Sequence, residues 1–246
     1  MQIDANKRSS IGNLRITGSS TAAGGLYDRV KIVGEGIVEG DMKCQHMKCV
    51  GTLEMEGDLQ AGQAGIVGTF ALTGNVRSDR MKNSGTVSIS GDAVIGTLTG
   101  SGTVEVKGHL QGNQIALHGH IATGGDCEVD EFHLKGMFDV GGLLNAGAIN
   151  IRIFQDSTAK EIGGEKIRIR KASLLHPFSL FFRPSPHAKL VVSVIEGDDI
   201  YVEHTRVNVI RGNQVVIGPG CEVGLVEYKV HLEKKKDAIV KESRKM

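Results

Sequence analysis

The sequence predicts an all-β protein that folds as a right-handed parallel β-helix with 17-residue turns. Three observations support this prediction: glycines recur with a period of 17 between positions 34 and 151, apolar residues keep the same period, and apolar and polar residues alternate. Segments this short cannot bury a core within one repeat, so successive repeats must stack into a solenoid. The general handedness of parallel crossover connections favours a right-handed coil.

Two glycine columns mark the corners of the predicted coil. The first column contains Gly34, Gly51, Gly68, Gly85, Gly102, Gly119 and Gly136, and the second follows six residues later with Gly40, Gly57, Gly74, Gly91, Gly108, Gly125 and Gly142. Glycine adopts positive φ at little steric cost, as a chain that turns a corner requires. We therefore predict that these glycines are structural corner residues.

The apolar positions within each repeat follow a 6-5-6 spacing. In the repeat that begins at Gly51, Leu53 and Met55 alternate with polar residues, and Leu59 and Ala64 continue the pattern. Alternation with period two indicates strands with one buried face. Hexapeptide acyltransferases need a spacing of six throughout, so the 6-5-6 spacing argues against that class.

The pattern divides the chain into five segments. They are a polar N-terminal tail (1–13), the main β-helix (14–171), an apolar insertion (172–189), C-terminal turns (190–228) and a basic polar tail (229–246). Leu14 and Ile16 begin the alternation, and the register after Ile151 indicates one more turn with a one-residue insertion. Ile200 and Ile217 are separated by one period of 17, which predicts about two further turns of the same pitch. The last segment has seven Lys and Arg against three Asp and Glu, which predicts a frayed helix or a disordered tail.

The insertion at 172–189 must leave the coil, because it holds three of the four prolines and proline cannot sit in a central ladder. Its apolar residues are Leu174, Leu175, Phe178, Leu180, Phe181 and Phe182. A loop this apolar needs a cover. Three covers remain open: the solenoid itself, a second subunit, or a lipid surface reached with the help of the basic tail. We take these residues, with Leu14 and Ile16, as candidate assembly or membrane contacts.

Composition restricts the function classes. The net charge is +1 and no basic stripe is evident in the repeats, so a nucleic-acid partner is not expected. No apolar run is long enough to span a membrane and no apolar signal region is present, which predicts a cytoplasmic protein. The sequence lacks a phosphate-binding loop, so we expect no nucleotide and no other cofactor.

Cysteine and histidine side chains are the candidate reactive groups. Cys44, Cys49 and Cys127 fall in phase with core columns, so we interpret them as buried apolar residues rather than metal ligands. His118 and His120 are the only candidate catalytic histidine cluster, and we interpret them as exposed strand residues. We therefore expect no catalytic and no metal-binding residues.

With the repeats and the segment IEGDDIYVEHTRVNVIRGNQVVIGPGCEVGLVEY in view, the chain resembles the bactofilins, which are bacterial polymer-forming cytoskeletal proteins. The downstream segment is similar to that of longer relatives in Gram-positive bacteria. The resemblance implies end-to-end stacking into nucleotide-independent filaments, often at the membrane. It also implies a scaffold for cell-envelope proteins and a second bactofilin-like protein as a partner. The chain differs from shorter family members in its length, its insertion and the lack of an evident apolar N-terminal anchor.

Three functions follow as hypotheses. The first is a structural polymer, because a β-helix has two open strand edges that another copy can pair with. The second is a β-helix carbohydrate-active enzyme, which is disfavoured because turns of constant length leave no loop to build a cleft. The third is a monomeric or oligomeric binding module that presents its flat faces to a partner. We expect the first, in the cytoplasm and at the cytoplasmic face of the membrane.

Overall fold

The computed structural model describes residues 12–172 and 185–246, and all regular structure in them is β-strand. The strands are β1 (Gly12–Glu56), β2 (Leu59–Leu72), β3 (Val76–Ile89), β4 (Ala93–Val106), β5 (Leu110–Thr123), β6 (Cys127–Ile153), β7 (Ser157–Lys171), β8 (Leu190–Val202), β9 (Thr205–Ile217), β10 (Glu222–Lys234) and β11 (Ile239–Lys245). They form one sheet in sequence order with parallel neighbours, coiled as a β-solenoid. The predicted parallel β-helix is confirmed.

The 17-residue register holds through the main part of the coil. Leu53 pairs with Phe70, which pairs with Val87, and all three side chains are fully buried. The inward columns form one continuous core along the solenoid. Phe132 and Phe138 contribute its one described aromatic pair, with ring centroids 6.4 Å apart in an edge-to-face arrangement.

The first glycine column is required for two separate reasons. Gly68 has φ of +121°, and a Cβ there would lie 2.1 Å from the carbonyl oxygen of Gly51 in the turn below. At Gly85 the backbone leaves the positive-φ region, but a Cβ would still lie 2.0 Å from the oxygen of Gly68. Close approach of stacked backbones therefore maintains the column even where φ does not. This bears out the interpretation of these glycines as structural, with backbone approach added to conformation.

A ladder of side-chain acceptors stands directly after the second glycine column, and the sequence interpretation missed it. Its members are Asp41, Asp58, Asn75, Asp92, His109 and Asp126. Each accepts a hydrogen bond at 2.7–3.0 Å from the backbone N–H one turn above, so Asp58 N–H donates to Asp41 and Leu143 N–H donates to Asp126. The signal was readable, because an acceptor follows the second glycine in six consecutive repeats.

The pitch changes beyond β6. Ile149 pairs with Ile167, one position further along the chain than a period of 17 would give, which confirms the one-residue insertion. Ile200 pairs with Val215, a separation of 15, and Val207 pairs with Val223, a separation of 16. The prediction that the C-terminal turns keep a pitch of 17 is therefore wrong. β8 and β9 have shorter corners, so the periodicity of 17 there was a coincidence between different columns.

The prediction of a frayed helix or disordered tail at 229–246 is also wrong. Those residues complete β10 and form β11, which pairs in parallel with β10. Ile239 N–H donates to the oxygen of Cys221 at 2.8 Å, and Met246 N–H donates to that of Tyr228 at 2.9 Å. Backbone hydrogen bonding stabilises this turn, while its Lys and Arg side chains point to solvent. At the other terminus, residues 1–11 lie outside the described residues, and positions 12 and 13 belong to β1 rather than to a tail.

The insertion leaves the coil where predicted. β7 ends at Lys171, β8 begins at Leu190, and Ser157 pairs with Leu190 across the gap. Both ends of the insertion are fixed to the coil: Ala172 N–H donates to Ile153 oxygen at 2.9 Å, and Ser185 N–H donates to Phe154 oxygen at 2.6 Å. The apolar residues between these ends, 173–184, lie outside the described residues.

Candidate assembly surfaces

The N-terminal end of the coil is a strand edge with little charge. Ile16 is 3% exposed and Leu14 is half-buried, and both pack on the core under the following turn. Arg29 N–H donates to the side-chain oxygen of Asn13 at 3.1 Å, which joins the first turn to the second. Within the described residues, no strand pairs with the outer edge of this first turn. Leu14 and Ile16 therefore lie where an end contact would form.

The C-terminal end is a second strand edge with a different surface. β11 is the last strand of the sheet and pairs only with β10 in the described part of the chain. Ile239 is 60% exposed and Val240 is half-buried, whereas Lys241, Glu242 and Arg244 are exposed. Charged side chains on an edge weaken unselective strand pairing. The two ends therefore differ in charge and in apolar content.

Six of the eight residues predicted as assembly or membrane contacts fall outside the described residues. They are Leu174, Leu175, Phe178, Leu180, Phe181 and Phe182. The remaining two, Leu14 and Ile16, belong to the end described above. In 12–172 and 185–246 no helix is long and apolar enough to cross a membrane.

The histidine cluster is split by a corner. His118 is exposed, and partial desolvation together with the charge of Lys135 lowers its pKa. His120 is half-buried, with Nε2 3.2 Å from a carboxylate oxygen of Asp139, whose other oxygen accepts a hydrogen bond from Thr158 at 2.8 Å. Because the Thr158 hydroxyl is bound to the carboxylate and not to the imidazole, this arrangement does not activate it as a nucleophile.

The cysteines are buried thiols, as interpreted from the sequence. Burial raises the pKa of Cys44 and Cys221 to about 11 and that of Cys127 to about 12, and also raises the pKa of Cys49. These thiols are therefore neutral and unreactive at physiological pH. In the described ranges, no three His, Cys, Asp or Glu side chains converge as metal ligands.

A basic patch covers one face of the first turns, and the sequence interpretation missed it. It consists of Arg29, Lys31, His46, Lys48, Arg80 and Lys82, all exposed. The structure stacks these residues in two adjacent outward columns, around the gap left by Gln63 and Gly65. The expectation that no basic stripe is present is wrong for these turns. Residues that lie one or two turns apart in the sequence are stacked neighbours here, so a search for local charge runs does not find the patch.

An acidic groove lies on a neighbouring face near the other end of the coil. We define it by Glu161, Glu165, Glu196 and Asp198, which surround a floor formed by Gly163, Gly164, Gly197 and Gly212. Arg211 and Lys229 also line it. Arg211 is held by Glu227 at 2.8 Å and approaches Glu196 at 3.8 Å.

Comparison with known proteins yields relatives without an assigned function. The chain is 40% identical over 106 residues to the uncharacterized protein YhbF of Bacillus subtilis (strain 168), covering 43% of this chain and 42% of that protein. It is 37% identical over 92 residues to the uncharacterized protein YhbE of the same strain, covering 36% and 37% respectively. The matches therefore span less than half of each relative. No family model and no solved structure matches the chain.

Proposed function

We propose that this chain is a non-enzymatic structural protein that assembles end to end, without nucleotide, into filaments or scaffolds. The observation that carries this proposal is the pair of strand edges, the first turn of β1 and β11, which have no strand partner in the described residues. The resemblance to bactofilins supports the same function. The two relatives contribute no functional assignment.

The geometry favours a linear assembly. Unpaired strand edges expose rows of N–H and C=O groups that another strand can bind. A subunit with two such edges forms an open chain when both are used, because contacts at opposite ends do not close on themselves. Core columns that run the length of the coil let a second copy continue the apolar interior across the joint.

The absence of catalysis is part of the proposal. The described faces are flat ladders with shallow grooves, and His120 is held by Asp139 rather than aimed at a nucleophile. A binding module is the alternative, and its signature would be a stable monomer at high protein concentration.

The proposed location is the cytoplasm, at the cytoplasmic face of the membrane. We propose that residues 172–189 form the lipid contact, with client proteins of the cell envelope and a second bactofilin-like protein as partners. The composition of the insertion supports this role. Flotation with anionic vesicles should bring the protein to the top of a gradient, and Phe178→Ser/Phe181→Ser/Phe182→Ser should abolish flotation while leaving filaments intact. Flotation of that variant at the parental level would contradict the lipid contact.

Electron microscopy and sedimentation of the purified full chain test the assembly. We expect filaments in buffer alone and the same pelleted fraction with and without ATP or GTP and magnesium. A chain that stays monomeric in all conditions, or that pellets only with nucleotide, would overturn the proposal.

A further inference from the structure

We propose that the basic patch of one copy binds the acidic groove of another, so that neighbouring filaments associate laterally. This inference rests on the proposed end-to-end assembly and adds a second contact to it. It comes from the distribution of charge: a chain with a net charge of only +1 separates its charges into two patches of opposite sign.

The basic patch is open to an anionic partner. Lys48 and Lys82 each lie one turn from Gly65, at roughly 4.8 Å per turn, and His46 and Arg80 flank Gln63 in the adjacent column. Gly65 places no side chain between the two lysines. Of the six basic residues only Arg29 has an ion-pair partner among the described residues, Asp28 at 3.6 Å. The face therefore presents several cations around a shallow depression.

The acidic groove is complementary in charge and shape. Glu161, Glu165 and Asp198 are exposed and have no cation within ion-pair distance in the described part of the chain. Arg211 is already engaged by Glu227 and therefore offsets little of this charge. The glycine floor leaves room for long Lys or Arg side chains from another copy.

The positions of the two patches set the geometry of the contact. They lie on adjacent faces and are separated by about six to seven turns, which is roughly 30 Å along the coil axis. A copy cannot satisfy its own patches. In filaments that run in the same direction, a neighbour displaced by roughly 30 Å brings opposite charges together.

The energetics explain why this contact would accompany filaments rather than precede them. Exposed ion pairs contribute about 0–1 kcal/mol each and are screened by salt. A few such pairs do not hold two monomers together, but repetition along two filaments multiplies them. Lateral association should therefore need both assembled filaments and low ionic strength.

A second copy accounts for the charge pattern better than a lipid surface does. An anionic bilayer would engage the basic patch, but it would leave the acidic groove without a role. The patch also carries none of the aromatic side chains that anchor proteins at membrane interfaces. Lipid binding is nevertheless kept as an outcome of the test.

Charge reversal in the full chain provides the test. The first variant is Lys48→Glu/Arg80→Glu/Lys82→Glu, and the second is Glu161→Lys/Glu165→Lys/Asp198→Lys. The matched control, Lys43→Glu/Arg77→Glu/Lys107→Glu, makes the same change in net charge as the first variant at exposed positions outside the patch. Filament width and length are measured by electron microscopy at low and at high salt.

We expect the parent and the control to form paired or bundled filaments at low salt and single filaments at high salt. Each charge-reversed variant should lose bundling at low salt while keeping filament length. Mixing preformed filaments of the two variants should restore bundling, because each reversed surface now meets a complementary one. Thermal melting checks that every variant is folded.

Four outcomes would overturn the lateral contact: bundling that persists in either variant, loss of bundling in the control, no rescue on mixing, or a parent that forms only single filaments. Loss of anionic-vesicle flotation by the first variant with bundling unchanged would assign the patch to lipid instead. Loss of filament length, or no filaments from the parent, would count against the end-to-end proposal. Without filaments, sedimentation equilibrium at low salt must still show association of the oppositely reversed variants, or the lateral contact fails too.

Discussion

At the scale of single residues, Gly102 and Gly65 separate a glycine that is required from one that is not. Gly102 has φ of +118°, and a Cβ there would lie 2.0 Å from the oxygen of Gly85. We expect Gly102→Ala to lower the free energy of unfolding by about 1–3 kcal/mol or more, because backbone strain and a backbone clash add. Urea or thermal unfolding of the isolated protein measures the change.

Gly65 is the matched control. Its φ lies outside the strained region, and a Cβ would meet nothing closer than the Met47 oxygen at 3.9 Å. We expect Gly65→Ala to be neutral or to stabilise by about 0.4–1 kcal/mol, because alanine restricts the unfolded chain. Equal destabilisation by the two substitutions would show that stacking of the first glycine column does not govern stability.

His109 replaces the usual Asp or Asn in the acceptor ladder. Its Nδ1 accepts the Asp126 N–H at 3.0 Å, which requires a neutral ring with its proton on Nε2. We expect His109→Ala to cost about 0.5–1.5 kcal/mol and His109→Asn to restore the parental stability. Gln111→Ala, on the same strand and exposed, should be silent in the same melts. An unchanged melting temperature for His109→Ala would mean that water replaces the ladder at no cost.

Some residues of the core could be predicted and others could not. The inward columns were readable because burial of one face imposes a strict alternation, as at Leu53 and Phe70. Asn83 breaks that rule: it is fully buried in an inward column, donates to the oxygens of Gly85 and Thr103, and leaves its own side-chain oxygen without a partner. Nothing local in the sequence signals a buried amide, because the turns that surround it are distant in the sequence.

At the scale of elements, β11 shows how backbone pairing overrides composition. A segment rich in Lys and low in apolar residues reads as disordered, but a solenoid turn needs few inward residues and its backbone bonds to the turn below. We expect the amides of Ile239 and Met246, which donate to Cys221 and Tyr228, to exchange with solvent at least about tenfold more slowly than in an unstructured peptide. Hydrogen exchange by NMR or mass spectrometry measures this. Exchange at the unstructured rate would restore the disordered-tail interpretation.

The insertion at 172–189 should be dispensable for folding. Ser157 and Leu190 pair at a sequence separation of 33, and deletion of the whole insertion shortens this to 15, which equals the separation between the paired Leu190 and Thr205. Arg170 and Lys171 would then form the same two-residue corner as Glu203 and His204 do between β8 and β9. We expect the deletion variant to keep its β-sheet circular dichroism and to melt within a few degrees of the parent. A collapse of the cooperative transition would assign the insertion to a cap on the coil.

At the scale of the whole molecule, the faces and the ends were unequally predictable. The fold follows from periodicity, because every turn repeats the same local requirement and one column reports on all turns. The basic patch and acidic groove depend on which residues stack at a given corner, which becomes apparent only once the register is known. The shortened pitch of β8 and β9 shows how one changed corner shifts every outward residue downstream.

Blocking one end at a time tests whether the strand edges are the joints of the filament. Leu14→Lys places a charge in the half-buried edge of the first turn, and Val240→Lys does so in β11, whereas Thr86→Lys is an exposed control on β3. Inward-pointing charges disfavour edge pairing, so we expect neither end variant alone to form a species larger than a dimer in analytical ultracentrifugation, while the control forms filaments. If unlike ends join, each variant alone is a monomer and their mixture gives dimers; if like ends join, each variant alone dimerises through its unblocked end. Filaments of parental length from either end variant would show that the joint lies elsewhere.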